Sequence, residues 1–379
     1  MELIFGIALG LIILVFLVVV HELGHAIVAK RNGVVVQEFG IGFPPKAWSR
    51  KLKNGVLLSL NWLPLGGFVR LQGEYDSAKG KGDYGAATFG QKTRILLAGV
   101  LINWLVAVLL LTILAVTGLP KILPNQFAIA SDTTTTVQSV ELTTIKPDYP
   151  AEKAGLKIGD KILRFNGLEV PNSQTFIDQT KSSAGQTVEV IYSRSGVESA
   201  AEITLRSDTT APVLGAGLGQ RELTKATWSA PIVGIVTTGQ FTWATLQGLG
   251  SLVGNLVSGL SMQLSPDQSI RTKGNDNLKQ VSDSVAGPIG ILGTIFPQAE
   301  RAGPTQLIFL TAIISLTLAV MNILPIPALD GGRWFVTALF RVIKKPLTKA
   351  REEKIQTTGF LILIGLIVLI TIGDVTKLL

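Results

Sequence analysis

An uncharged apolar run over residues 3–20 leads without a break into His21-Glu22-Leu23-Gly24-His25, and these are the only two histidines among 379 residues. The run is apolar enough, and nearly long enough, to cross a hydrocarbon core of about 30 Å as a helix. A helix carries positions i and i+4 on one face, so both imidazoles reach a single metal ion. Glu22 then stands beside that ion, placed to handle the proton of a bound water. A chain built this way must fold so that a polar metal site lies in, or at the edge of, a membrane.

Composition agrees with that setting. The chain is 47% hydrophobic and only 16% charged, with a mean hydropathy of +0.44, the balance of a polytopic membrane protein with some soluble mass. The net charge of +8 does not signal nucleic acid, and no nucleic-acid partner is expected, because the cations cluster beside apolar runs, where they act as topology signals. Cysteine is absent, which excludes disulfides, thiolate ligands and cysteine nucleophiles. The first run is a poor signal peptide: Glu2 precedes it, there is no basic leader, and cleavage would detach it from His21.

Four apolar runs predict transmembrane helices: residues 3–20 (helical on to about 29), 95–119, 303–329 and 360–372. Between the first two lie eleven Lys and Arg against four acids, and Arg341, Lys344, Lys345, Lys349, Arg351 and Lys354 follow the third. The excess of cations places both connections in the cytosol, with the termini and the long segment of about 120–302 outside. Helix one and helix three then both run inward, so His21–His25 and Asp330 arrive on the same side. A further uncharged stretch, residues 226–266, reads as interfacial and amphipathic; were it to cross, Asp330 would be sent to the opposite face.

The inner connection is more than a linker. Val34-Val35-Val36, residues 56–60 and Phe68-Val69-Arg70-Leu71 read as short strands, with Asn54-Gly55 as a hairpin turn. A sheet this apolar beside helix one dips into the membrane, the alternative being a small soluble hairpin. In the outer segment, the run Pro150 to Leu163, with Gly155, Gly159-Asp160 and then Asn166-Gly167, resembles the PDZ signature of bacterial envelope proteases. PDZ domains take an extended peptide as an added strand; Leu214-Gly215 is a weak candidate for a carboxylate-binding loop.

A hydrolytic zinc site needs three protein ligands, an open position and a general base. With no other histidine and no cysteine, the third ligand must be a carboxylate. Asp330 is the outstanding candidate, because it ends the uncharged stretch 303–329, where an unpaired charge near the membrane centre would cost about 2.5–3.5 kcal/mol. Bound zinc lowers the pKa of water to about 7, and zinc is preferred to iron, which the same ligand set also admits. Around Asp330, Pro325, Pro327, Gly331 and Gly332 break the helix, which membranes tolerate only where protein or water satisfies the backbone.

These motifs together resemble the site-2 protease family, of the bacterial regulator-of-sigma-E type with one PDZ domain. The likeness rests on His21–His25, Asn322–Gly332, Gly40-x-Gly42-Phe43, Pro64-Leu65-Gly66-Gly67-Phe68-Val69, Gly287-Pro288-Ile289-Gly290 and the PDZ signature. It implies Zn2+ on His21, His25 and Asp330, Glu22 as catalytic base, and substrate contacts at Asn322, Pro325 and Pro327. It implies cleavage of single-pass membrane proteins, anti-sigma factors or signal-peptide remnants among them, in the bacterial inner membrane, with the active site near the cytoplasmic side. The family often has Gly-Pro-x-x-Asn in the second span; here Gly99-Val100-Leu101-Ile102-Asn103 lacks the proline, so Asn103 is either an oxyanion aid or a helix-packing residue.

The expected fold is a polytopic α-helical membrane protein of four transmembrane helices, with a membrane-associated β-hairpin region and an extracytoplasmic α+β PDZ domain. Its expected parts are helix one (1–30), the β loop (31–94), helix two (95–119), PDZ (125–220), the interfacial segment (221–302), helix three (303–340) and helix four (355–375). Two other functions compete. A membrane zinc-binding or transport protein accounts for intramembrane His and Asp but not for Glu22. A silent PDZ scaffold predicts loss of one of His21, Glu22, His25 or Asp330, and all four are present.

Overall fold

The computed structural model describes residues 2–194, 196–209 and 212–378. The chain forms two compact units, one of Met1–Ile113 with Gly234–Leu379 and the other of Leu114–Val233. Among the described residues, four helices are long and apolar enough to cross a membrane: Leu3–Arg31, Phe89–Thr117, Pro304–Ile323 and Lys349–Thr376.

The first unit opens with α1 (Glu2–Arg31), which at 1.5 Å per residue is about 45 Å long. Lys30 and Arg31 occupy its last turn, where cations complement the helix dipole, and Gly33 at φ +80° terminates it. Then come β1 (Val36–Lys51) and β2 (Leu57–Leu71), reversing at Gly55, φ +86°. The pairing doubles back: Phe39 lies opposite both Leu58 and Val69, while Trp48 lies opposite Leu60. Two long strands thus make a sheet four rungs wide. It is more extensive than the short strands read from sequence, because Pro44-Pro45, Pro64 and Gly66-Gly67 sit at bends within the strands rather than ending them. Glu38 is buried in this sheet between Lys46 (3.0 Å) and Arg70 (3.1 Å), two cations that offset the cost of taking a carboxylate out of water. Helix α2 (Phe89–Thr117) begins before the apolar run does. Its first turns carry Lys92, which is buried, paired with Asp76, and donates to Gly85 O at 2.9 Å.

The second unit holds β3 (Leu119–Pro120), β4 (Thr134–Val137), β5 (Val140–Ile145), α3 (Pro150–Lys153), β6 (Lys161–Phe165), β7 (Leu168–Glu169), α4 (Ser173–Ser182), β8 (Thr187–Arg194), β9 (Val197–Thr204), β10 (Ala216–Gly219) and β11 (Glu222–Lys225). One sheet runs β10-β5-β6-β8-β9, with β7 on β6, and a smaller one runs β3-β11-β4. Val140, Leu142, Ile162, Phe165, Phe176 and Val190 fill the core of the larger sheet, Phe165 meeting Phe176 edge-on at 5.6 Å. Beneath it, Asp160 is wholly buried. Its two oxygens accept from Arg194 Nε and Nη2 at 2.7 Å each and from Lys157 N at 2.7 Å. The Gly159-Asp160 turn is therefore an internal fastening of the fold. Replacing Arg194 with Leu strands a buried carboxylate and is expected to cost about 3 kcal/mol. Hydrogen exchange on the full chain reads this as lost protection in β6 and β8; unchanged protection would refute the fastening.

The first unit resumes in α5 (Ala230–Gln263), α6 (Gln268–Ser284) and α7 (Pro288–Gly290), a π-helical turn (Ile291–Ile295), α8 (Phe296–Arg301), α9 (Pro304–Ile323), α10 (Asp330–Val342) and α11 (Lys349–Leu378). Helix α5 holds most of the uncharged stretch 226–266 and packs along α2. An added Cβ at Gly234 would lie 2.9 Å from Thr112 N, and Trp104 Nε1 donates to Thr242 Oγ1 at 3.2 Å. Asp374, near the end of α11, accepts from Gly287 N (3.0 Å) and Gly290 N (2.7 Å), tying that helix to the Gly-Pro-Ile-Gly turn. The third apolar segment is two helices, α9 and α10, with a bend at 324–329 between them.

Candidate metal centre

Helix α1 continues unbroken through His21, Glu22 and His25, and the start of α10 brings Asp330 to the same point. Both imidazoles are buried. Asp330 Oδ2 lies 3.1 Å from His21 Nε2 and 3.2 Å from His25 Nε2, and the two Nε2 atoms are 3.2 Å apart. Among the described residues these three form the one His/Asp/Glu cluster able to hold a metal ion. A tetrahedral zinc with bonds of about 2.0–2.1 Å requires donor atoms about 3.3–3.4 Å apart; the triangle fits with room for a fourth ligand.

The opposite ring nitrogens explain why both Nε2 atoms point inward. His25 Nδ1 donates to Ile95 O at 2.8 Å. The Asn103 amide lies 3.3 Å from His21 Nδ1, and Asn103 is completely buried. The amide as placed presents Nδ2 and leaves Oδ1 buried without a partner. Turned about its terminal bond, it presents Oδ1 to a protonated Nδ1, which pairs the ring N–H with the amide oxygen and leaves Nε2 free for a metal. Ser315 Oγ donates to Asn103 O at 2.8 Å, linking α9 to this position.

Glu22 sits beside the cluster, close against β2. A Cβ on neighbouring Gly67 would come 3.3 Å from Glu22 Cγ, so the strand runs directly over this carboxylate. The bend that delivers Asp330 is tightly held. Ala328 is left-handed at φ +78°, and its N–H donates to Gln356 Oε1 of α11 at 2.6 Å. Gly331 and Gly332 start α10 because side chains there would strike the bend itself, 2.6 Å from Leu324 O and 2.7 Å from Pro327 N. Arg333, one turn on, stacks on the Tyr84 ring at 4.7 Å and lies 3.5 Å from Glu352, while burial pushes the Tyr84 hydroxyl up to about 12. Pro325 and Pro327 shape the bend; Asn322, by contrast, donates back to Leu318 O of its own helix at 3.0 Å.

Sequence reasoning overlooked Gly99, Ile95 and Gln356. Gly99 faces both imidazoles: an added Cβ would lie 2.7 Å from His21 Nε2 and closer still to His25 Nε2. The signal was present in the pairing of Gly24 with Gly99, small residues that let two apolar helices approach.

Comparison with known proteins places these residues in a wider pattern. The profile of peptidase family M50 matches residues 9–366. A Clostridium perfringens protein is 31% identical over 360 residues, covering 95% of each chain. Zinc metalloprotease RasP of Geobacillus kaustophilus is 27% identical over 444 residues, covering 95% of each. Among solved structures, the PDZ domain of an SdrC-like protein from Listeria monocytogenes is 31% identical, covering 22% of this chain and 90% of its own, at a TM-score of 0.20.

Proposed function

The chain belongs to peptidase family M50, and from that premise we propose that His21, His25 and Asp330 hold the zinc ion of an intramembrane endopeptidase in which Glu22 is the catalytic base. The activity class and Zn2+ follow from the family; the residue roles rest above all on one observation, three donor atoms 3.1–3.2 Å apart on α1 and α10. Zinc, when bound, supplies a Lewis acid for the scissile carbonyl and an acidified water. Glu22 takes the proton of that water as its oxygen adds to the carbonyl carbon. It then gives the proton to the amide nitrogen as the C–N bond breaks.

Membrane proteins are the substrates, and a helical segment must be unwound before it can be cut. In this reading an extended substrate lies along the β2 segment that crosses Glu22, and Pro325 and Pro327 leave backbone groups free to receive it. Asn322 reaches it on leaving its own helix. The basic connections argue for a multi-pass inner-membrane protein with the metal site toward the cytoplasmic side and the second unit outside. That unit serves as a PDZ-type filter, with β10 as the sheet edge open to a peptide strand. Anti-sigma factors and signal-peptide remnants are the single-pass substrates this arrangement suits.

The test is cleavage of a tagged single-pass substrate by the purified chain in detergent. Chelation should abolish cleavage and Zn2+ should restore it; cleavage that survives metal removal would overturn the reading.

Asn103 acts through His21 rather than on the oxyanion. Asn103→Leu is therefore expected to weaken zinc binding by about 10–100-fold, measured by chelator competition, with Asn103→Asp, which keeps an acceptor, largely restoring it. Unchanged zinc affinity with a lower kcat would return Asn103 to an oxyanion role.

A further inference from the structure

We propose that the first unit carries a built site for one anionic phospholipid, in an apolar groove along α2. The groove encloses about 720 Å3, within the about 300–1,000 Å3 of ordinary ligand sites. Leu97, Leu101 and Trp104 of α2 line it, with Val320 of α9 facing them. Among the described residues its only charged lining groups are Arg31 and Arg94. Both are exposed, and neither forms an ion pair with an acid among the described residues.

Position selects the occupant. Arg31 ends α1 and Arg94 lies in the second turn of α2, so both guanidiniums stand where an apolar helix meets the headgroup layer. Trp334 Nε1 donates to Thr93 Oγ1 at the same level (3.0 Å), a ring placement common at membrane interfaces. From Arg94 to Trp104 the helix rises about 15 Å, the depth of one leaflet in a core of about 30 Å. An anion at one end of a leaflet-deep apolar chain describes a phospholipid. The two arginines hold its phosphate by charge-assisted hydrogen bonds, and an acyl chain lies along Leu97 and Leu101. The inference rests on the membrane placement of these helices and not on the assignment of the catalytic residues.

Native mass spectrometry of the full-length protein, titrated with phosphatidylglycerol or phosphatidylcholine in uncharged detergent, tests this. One phosphatidylglycerol should bind about tenfold more tightly than phosphatidylcholine. The double variant Arg31→Gln/Arg94→Gln should lose that preference while keeping its zinc content and melting temperature. Arg50→Gln/Lys51→Gln, on β1 and outside the groove, should keep the preference. Glycerol 3-phosphate, a headgroup without chains, should not displace the lipid. Equal binding of the two lipids, no effect of the double variant, or displacement by glycerol 3-phosphate would each overturn the proposal. So would a photo-crosslinker at Leu97 that captures a substrate peptide instead of lipid.

Discussion

Replacing Glu22 with Gln is expected to leave zinc bound and to slow peptide hydrolysis by about 10²–10⁴-fold, the usual worth of a positioned general base. The two halves of that expectation have separate origins. Zinc stays because Glu22 is not among the three clustered donor groups, and because Ile95 O and the Asn103 amide continue to orient the two rings. The fold stays because Gln nearly matches Glu in side-chain volume. Only proton transfer is lost, since an amide cannot take a proton from water at neutral pH. The check is kcat on a single-pass membrane substrate, with metal content measured on the same preparation. Loss of zinc along with activity would make Glu22 a structural residue, and activity within threefold of wild type would remove it from the chemistry.

That the sequence pointed to His21, His25 and Asp330, which the fold brings together, and to Glu22 beside them, is a matter of scarcity. With two histidines and no cysteine, few ligand sets are available, and an acid at the end of an uncharged stretch needs a partner. The break at 324–329 was equally legible, since Pro325 and Pro327 cannot continue a helix; Gly331 and Gly332, expected to add to the break, instead lie in the first turn of α10. What sequence concealed depends on approach between distant segments. The Asn103 amide meets a ring 82 residues away, and Gln356 meets Ala328 across 28. No local pattern encodes either contact. The sheet was underread for another reason: Gly40, Gly42, Gly66 and Gly67 punctuate it as turn residues would. Yet Gly40 is needed because Phe68 lies across it, where a Cβ would strike the ring, and Gly67 because it passes over Glu22. Glycine marked close packing there, not an end of strand.

Gly99→Ala is expected to strip the protein of zinc, and with it of activity, while leaving the chain folded. The added methyl would sit 2.7 Å from His21 Cε1 and Nε2 and nearer still to His25 Nε2, inside the space the donor atoms and their metal share. Neither helix can give way easily. A Cβ on Gly24 of α1 would already come within 2.8 Å of Ala98 O, so the two backbones are nearly touching, and the His25 Nδ1 bond to Ile95 O pins the ring to α2 itself. The rings must therefore rotate away, breaking the 3.1–3.2 Å triangle with Asp330. Overpacking of this kind costs about 1–3 kcal/mol, opposed by up to about 1 kcal/mol gained from alanine's helix propensity, so the fold survives and the metal site does not. Gly90→Ala is the matched control: it lies on the same helix with nothing within 4 Å of the new Cβ, and should leave zinc, activity and melting temperature unchanged or slightly improved. A Gly99→Ala protein that holds one zinc per chain and cleaves at the wild-type rate would place the metal elsewhere than between α1 and α10.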